Sequence, residues 1–306
     1  MAINVVVAVT DREWHYQLKL QPELSEVNFW KPSEMGFHSL RPGEPFLFKT
    51  KYPHNKIVGG GIFAYSLILP ISRAWDAFGL SNGAKDFLEM RRRIAGYRSA
   101  ATDAATDFKI GCRIITDPVF FDESDYFDPP ARWHKNNPGH EAYSTDSSEG
   151  YALWSAYQDR RRRHSAPMVA ETSPAYGTPQ IVTPRLGQGG FRILVQETYA
   201  RKCAVTGERT LPALEAAHIR PYSDGGRHEV SNGLLLRRDL HRLFDTGYVT
   251  VNPSLRLEVS QSIREEFTNG RHYYAMHGSR IYIPDRREER PSLETLDWHN
   301  TNIYRG

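Results

Sequence analysis

The sequence predicts an α+β fold in two domains: a curved β-sheet or partial barrel, then a smaller unit of strands and helices. Three observations lead there. Segments rich in β-branched and aromatic residues recur through the first ~150 residues, with tight turns between them. A stretch of low hydrophobicity, 164–185, carries SAP, TSP, GTP and VTP turns and lacks the apolar surface to fold alone. Beyond it the pattern changes to helix, turn, strand, loop and helix. A chain of 306 residues has room for two domains of ordinary size. The expected division is 1–155, a helix end and linker over 156–186, and 187–306.

The elements follow in order. Asn4–Val9, Pro45–Thr50, Lys56–Leu69 and Cys112–Phe121 read as strands. RPGEP and the triplet Gly59–Gly61 mark tight turns or bends. One helix is expected over Gly83–Tyr97 and another over Ser148–Arg163, ending in the run RRRRH. The second domain opens with a helix, Gly190–Arg201, and a CAVTG turn. A strand over Leu211–Ile219, a loop and a further helix follow. A hairpin-like stretch (Gly247–Val259), a helix (Ser262–Asn269) and a short strand (Arg280–Ile283) close it.

Composition excludes several classes. Mean hydropathy is -0.56, and no apolar run approaches the ~18 residues a membrane helix needs. The opening MAINVVVAVTDREW has no basic n-region and reads as a first strand rather than a signal peptide. The two cysteines, Cys112 and Cys203, are too few for a disulfide scaffold or an all-cysteine zinc knuckle, which favours a reducing cytoplasm. The net charge of +3 does not by itself announce nucleic-acid binding. Yet from Gly187 onward every positive side chain except Lys202 is arginine, whose planar fork suits bidentate phosphate contact as well as a solvated surface.

Chemistry concentrates in LEAAHIRPYSDGGRHEVSNGLLLRRDLHRLFDTGYVTV, residues 214–250. His218 ends an apolar strand. Asn232 precedes the apolar run Leu234–Leu236. His241 lies on a predicted helix with Asp245 four residues on, and positions i and i+4 share a helical face. An imidazole and a carboxylate so placed suit one divalent ion: Mg, Mn or Zn. Phosphodiester hydrolysis needs a base for water and a stabiliser for the charge that builds on phosphorus. His218 fits the first role and an ion at His241 and Asp245 the second. Asn232 suits holding the loop and the histidine rather than proton transfer. Arg220, Arg237, Arg238 and Arg242 are near enough in sequence for flanking phosphates. A lone buried histidine is ordinarily a hydrogen-bonded core residue; three such positions in register are another matter.

AHIRPYSDGG and NGLLLRRDLHRLFDTG resemble the HNH endonuclease family, whose fold is the ββα-metal finger. The resemblance implies catalytic roles for His218, Asn232 and His241. Many family members carry an Asp or His ligand just before the first histidine, where this chain has Ala217. The replacement is expected from Asp245, with Glu215, Asp239 or water as alternatives. Cys203 stands where some HNH proteins begin a CxxC pair, but Gly207 follows in place of a partner, so Cys203 reads as core.

The first 150 residues also offer many aromatics: Trp14, Phe29, Trp30, Phe37, Tyr65, Trp75, Phe78 and Trp133. Aromatics can sandwich a flipped base or simply pack a core. NFWKPS, LRPGEPFLFKTKYPHNKIVGGGIF, AWDAFGLSNGA and FKIGCRIITDPVFF resemble the SRA-like, PUA-superfamily domain that precedes HNH nucleases in McrA-type modification-dependent restriction enzymes. That resemblance implies a reader of a modified base, typically a cytosine derivative, for which Trp30 and Tyr65 are candidates. Gly59–Gly61 would allow either close approach to DNA or a β-bulge.

The expectation is a two-domain endonuclease that restricts foreign, modified DNA such as phage DNA. It would use one divalent ion, act on double-stranded DNA and form a homodimer. A nuclease for unmodified DNA and a non-catalytic nucleic-acid-binding protein remain alternatives.

Overall fold

The computed structural model describes residues 2–21, 24–98, 106–134, 137, 139–164, 178–182 and 184–306. The chain divides into two compact units, Met1–Leu186 and Gly187–Gly306. Most of the expected linker, 165–177, lies outside the described residues.

The first unit is built on a six-stranded mixed sheet. Its strands are β1 (Asn4–Val9), β2 (Glu26–Asn28), β3 (Pro45–Lys49), β4 (Ile57–Pro70), β5 (Lys109–Phe120) and β6 (His140–Ser144), in the order β2-β5-β4-β3-β1-β6. β1 runs parallel to β3; the other pairs are antiparallel. With β2 and β6 at its edges, the sheet is open among the described residues, and no barrel closes. Helices α1 (Arg12–Lys19), α2 (Ile71–Phe78), α3 (Phe87–Gly96) and α4 (Ser148–His164) complete the unit. α4 runs unbroken through the boundary expected at 155.

Two of these helices and two strands were hidden in the sequence for physical reasons. Only two residues separate α1 from β1, and it is only eight residues long; its start is fixed by Asp11, whose carboxylate accepts from Trp14 N at 3.0 Å. α2 likewise follows β4 with no turn residue between them. β2 (EVN) and β6 (HEAYS) are short and polar. The glycine triplet lies in β4 beside register shifts against β5. A Cβ on Gly59 would meet Val119 O at 2.3 Å, and one on Gly61 would meet Thr116 O at 2.7 Å. The glycines admit neighbouring backbone, so the bulge reading holds here.

The second unit packs α5 (Gln188–Thr198) against a two-stranded antiparallel ribbon, β7 (Leu214–His218) and β8 (Gly233–Arg237), which leads directly into α6 (Arg238–Asp245). A second ribbon, β9 (Val249–Val251) with β10 (Leu257–Val259), follows, then α7 (Ser262–Phe267), α8 (Arg271–Tyr274) and α9 (Leu293–Asn302). The expected strand Arg280–Ile283 is reduced to an isolated bridge between Arg256 and Arg280. Cys203 is fully buried in the core with Phe191, Val195 and Leu235. Gly233 lets α5 approach: a Cβ there would lie 2.6 Å from Val195 Cγ2 and 3.0 Å from Phe191 Cε2. That close packing puts the Phe191 ring where the site needs it.

His299 on α9 ties the second unit together. It is 2% exposed; its Nε2 donates to Phe244 O at 3.1 Å and its Nδ1 accepts from Thr250 Oγ1 at 2.8 Å. The ring stacks on Phe244 at 3.7 Å. Burial pushes its pKa down to about 4. The unfolded chain binds this proton near pH 6.5, so the neutral imidazole stabilises the fold fully above pH 6.5, and that contribution is lost as pH falls toward 4. The shift corresponds to roughly 3 kcal/mol. Urea unfolding at pH 7.5 and pH 5 should show this loss, and His299→Gln should flatten the pH slope; an unchanged slope would contradict it.

Candidate functional site

Strand alternation and helix periodicity place the reactive side chains of the second unit. On α6, Leu240 and Phe244 face the core, which leaves His241 and Asp245, one residue further on in each case, on the adjoining face. The two meet a cavity of about 270 Å³ whose lining also includes His218, Ile219, Tyr222 and His299.

His241 is held from both sides. Its Nδ1 lies 2.8 Å from Glu215 Oε2, and its Nε2 lies 3.3 Å from Asp245 Oδ2. The carboxylate on Nδ1 makes that nitrogen a donor and turns Nε2 toward Asp245. Glu215 is fastened in turn, because its other oxygen takes Arg238 Nε at 2.9 Å. Burial raises the pKa of Asp245, against the lowering effect of His241 and Arg242.

Two donors of one cation, each about 2.1 Å from it and at right angles, stand about 3 Å apart. His241 Nε2 and Asp245 Oδ2 fit that spacing. Among the described residues no third His, Cys, Asp or Glu completes a cluster. Asp239, an alternative from the sequence, is committed elsewhere: it pairs with Arg237 at 2.6 Å and accepts from Tyr273 at 3.2 Å.

His218, half-buried at the end of β7, stacks face to face on Phe191 with ring centroids 3.9 Å apart, and the His228 ring stands edge-on to it at 4.9 Å. Its Nε2 is enclosed with no hydrogen-bond partner among the described residues, as is Nδ1 of His228. Burial, then the neighbouring His228 and His241, push the His218 pKa down to about 4, so the ring is neutral at pH 7.

Asn232 does not reach the cavity. It is 3% exposed; its Oδ1 accepts from Arg220 N and its Nδ2 donates to Arg220 O and Arg227 O, each at 2.9 Å. Ile219 N donates to Asn232 O at 2.9 Å. One side chain thus clasps both ends of the 219–232 loop and fixes the backbone just after His218.

The arginines sort by their partners. Arg220 donates to Asp224 O at 2.7 Å and lies over Trp298 at 5.2 Å. Arg238 is taken by Glu215, and Arg237 by Asp239. Arg242 is exposed, and its side chain has no hydrogen bond or ion pair among the described residues. Of these arginines, among the described residues, it is the one whose charge is felt by Asp245 with no side-chain hydrogen bond or ion pair of its own. The sequence missed Glu215 as the partner of His241, since strand and helix meet only in the fold, and it missed His228 because nothing local links it to His218.

The first unit holds a separate cavity of about 240 Å³, walled by Trp14, Phe29, Trp30 and Tyr97 and by the polar groups Asp11, Lys31, Lys51 and Arg113. Both indoles are anchored: Trp14 Nε1 donates to Asn28 O at 3.1 Å and Trp30 Nε1 to Asn82 O at 3.0 Å. Trp30 and Tyr97 stand 6.2 Å apart at 38°. Asp11 accepts from Arg93 at 2.8 Å and from the Tyr97 hydroxyl. Trp30 therefore lines this cavity, whereas Tyr65, on β4, is not among its lining residues. Tyr97, which carries no short motif, lines it beside Trp30.

Residues 203–252 match the HNH endonuclease family, so the chain carries an HNH endonuclease domain. No curated protein matches the chain. Among solved structures, a point mutant of ZmASCH from Zymomonas mobilis aligns at 10% identity over 49% of this chain and 94% of its own, with a TM-score of 0.33. The modification-dependent TagI restriction endonuclease aligns at 13% identity over 86% of this chain and 62% of its own, with a TM-score of 0.30. This chain thus spans less than two thirds of the TagI chain's length. Neither likeness, at those scores, bears on function. No helix among the described residues is long and apolar enough to cross a membrane.

Proposed function

We propose that this HNH endonuclease is a modification-dependent restriction enzyme: the second unit hydrolyses phosphodiester bonds of double-stranded DNA, and the first reads a modified base. The observation that carries the nuclease half is the meeting of His218, His241 and Asp245 on one cavity, within the stretch that matches the family.

His218 is the general base. With Nε2 enclosed, Nδ1 is the nitrogen that takes a proton from water, as the water oxygen bonds to phosphorus and the P–O bond to the leaving oxygen breaks. Phe191 beneath the ring keeps it aimed and accepts the imidazolium face as charge builds. Asn232 holds the loop that follows His218. His241 Nε2 and Asp245 would hold a divalent ion, with Glu215 orienting His241 in the ββα-metal manner. Two protein donors suit Mg or Mn, which keep several waters, better than a four-ligand structural Zn. Such an ion supplies Lewis acidity to the phosphoryl and leaving oxygens. Arg242 contacts a flanking phosphate; Arg220 and Arg238 act mainly within the protein. One such centre cuts one strand, so a double-strand break calls for two copies, as in a homodimer.

The reader half is supported by the anchored aromatic walls of the first unit. A cavity of about 240 Å³ with two rigid indoles suits a single nucleobase taken out of the stack. Trp30 and Tyr97 would flank it. Cleavage of matched duplexes, plain and modified, with Mg or Mn tests both halves. Modified DNA should be cut at least about tenfold faster under limiting enzyme, a difference of about 1.4 kcal/mol. Equal rates would leave a nuclease for unmodified DNA, and no cleavage of any duplex would leave a binding protein.

A further inference from the structure

We infer that the cavity of the first unit takes an anionic oxygen group, a carboxylate or a phosphate, carried by the nucleotide whose ring lies against Trp30 and Tyr97. The inference rests on the base-pocket reading above and adds to it the charge of what is bound.

Arg113, on β5, lines the cavity and is only 4% exposed. Its guanidinium lies over Phe37 at 4.4 Å and Phe29 at 5.9 Å. Among the described residues it has neither a hydrogen bond nor an ion pair. Its five N–H donors have no protein acceptor among the described residues, and none of its nitrogens is sealed from solvent, so they are open to a ligand in the cavity. An arginine is almost never buried unless paired, because loss of hydration costs several kcal/mol. Lys31 lines the same cavity, also without a side-chain partner among the described residues. Its Nζ lies 4.0 Å from where a Cβ on Gly139 would stand.

The lining offers little to neutralise these cations. Its one carboxylate, Asp11, is already committed to Arg93 at 2.8 Å, to the Tyr97 hydroxyl and to Trp14 N at 3.0 Å. His140, next to Gly139, shares a hydrogen bond with Ser39 at 2.9 Å and adds no negative charge. The proximity is felt in the ionisation of the groups. Burial holds Arg113 down to about 10, burial and then Arg113 lower Lys31, and burial with both cations holds His140 down to about 4. An anion placed between Arg113 and Lys31 would oppose each effect by favouring the charged form. A methyl group would oppose none. Arg113 therefore reads as a prepaid binding group: buried, rigid and aimed at a ligand that carries the missing charge.

Two sources present that chemistry beside a planar ring: a carboxylate on the base, or the phosphate of the same nucleotide. Binding by the full-length chain in EDTA, where no cleavage intervenes, separates them. The probes are duplexes carrying one cytosine, 5-methylcytosine or 5-carboxycytosine, and the monomers deoxycytidine and dCMP. The expected result is a preference of at least about tenfold for the carboxylated over the methylated duplex, or for dCMP over deoxycytidine. The pair that shows it names the source. Arg113→Met and Lys31→Met should each abolish the preference. Removal of an unpaired buried charge should leave the melting temperature of Arg113→Met equal or higher.

A lower melting temperature with the preference intact would make Arg113 structural and overturn the inference. Methylated and carboxylated duplexes bound alike, both above plain DNA, with dCMP no better than deoxycytidine, would overturn it while leaving the reader in place. Equal binding of all three duplexes would remove the reader; a dCMP preference lost in Arg113→Met would then keep the anion site alone, and its absence would remove both.

Discussion

His218→Ala should lower the cleavage rate roughly 100-fold or more, the range of general acid–base catalysis, with DNA affinity unchanged. The ring is half-buried, stacked on Phe191 at 3.9 Å and without a hydrogen bond, so its removal takes away a base rather than a strut. Its pKa near 4 in the free protein means that the neutral, proton-accepting form already prevails at pH 7. The acid limb of kcat/KM at saturating metal should therefore lie below the ordinary histidine value of about 6.5. DNA phosphates beside the ring favour the imidazolium and strengthen the base in the complex, so the limb for kcat should lie higher than that for kcat/KM. His218→Gln should not restore the rate. Near-normal cleavage by His218→Ala would falsify the assignment.

The second large effect concerns the metal. EDTA should abolish cleavage, and His241→Ala and Asp245→Asn should each cut it by a similar order while raising the Mn concentration needed for half-maximal binding. Mn titration followed by electron paramagnetic resonance measures that binding without any reaction. Glu215→Gln should fall between: it keeps a hydrogen-bond acceptor for His241 but loses the charge, and loss of such a carboxylate partner typically costs 10–100-fold in metal affinity or activity. Mn binding undiminished in Asp245→Asn would show that the replacement for the ligand absent at Ala217 comes from somewhere else. Undiminished binding in His241→Ala would remove the site.

Much of the second unit was legible because its chemistry is written in short-range spacing. His241 and Asp245 are four residues apart on one helix, and the strand that delivers His218 ends where the apolar pattern ends. β8 was not legible as a strand: Leu234, Leu235 and Leu236 are all buried, so it lacks the alternation that betrays a strand with one wet face. α9 was missed because its own apolar pattern is weak; it is held by the polar contacts of His299 and Asn300 with the β9 region.

By itself, then, the sequence determined the two-part organisation, the helix that pairs His241 with Asp245, the strand end that carries His218 and the arginine bias of the second unit. All of these depend on neighbours within a few residues, where periodicity and propensity act. Tertiary structure alone decided that Glu215 holds His241, that Asn232 grips Arg220 and Arg227 of the loop it was expected to hold, and that Arg238 is paired while the Arg242 side chain has no hydrogen bond or ion pair among the described residues. It also decided that Tyr97 joins Trp30 in a cavity that Tyr65 does not line, and that Arg113 lies unpaired in that cavity's wall. Each is a meeting of side chains from separate elements, set by packing over distances along the chain that no local pattern encodes.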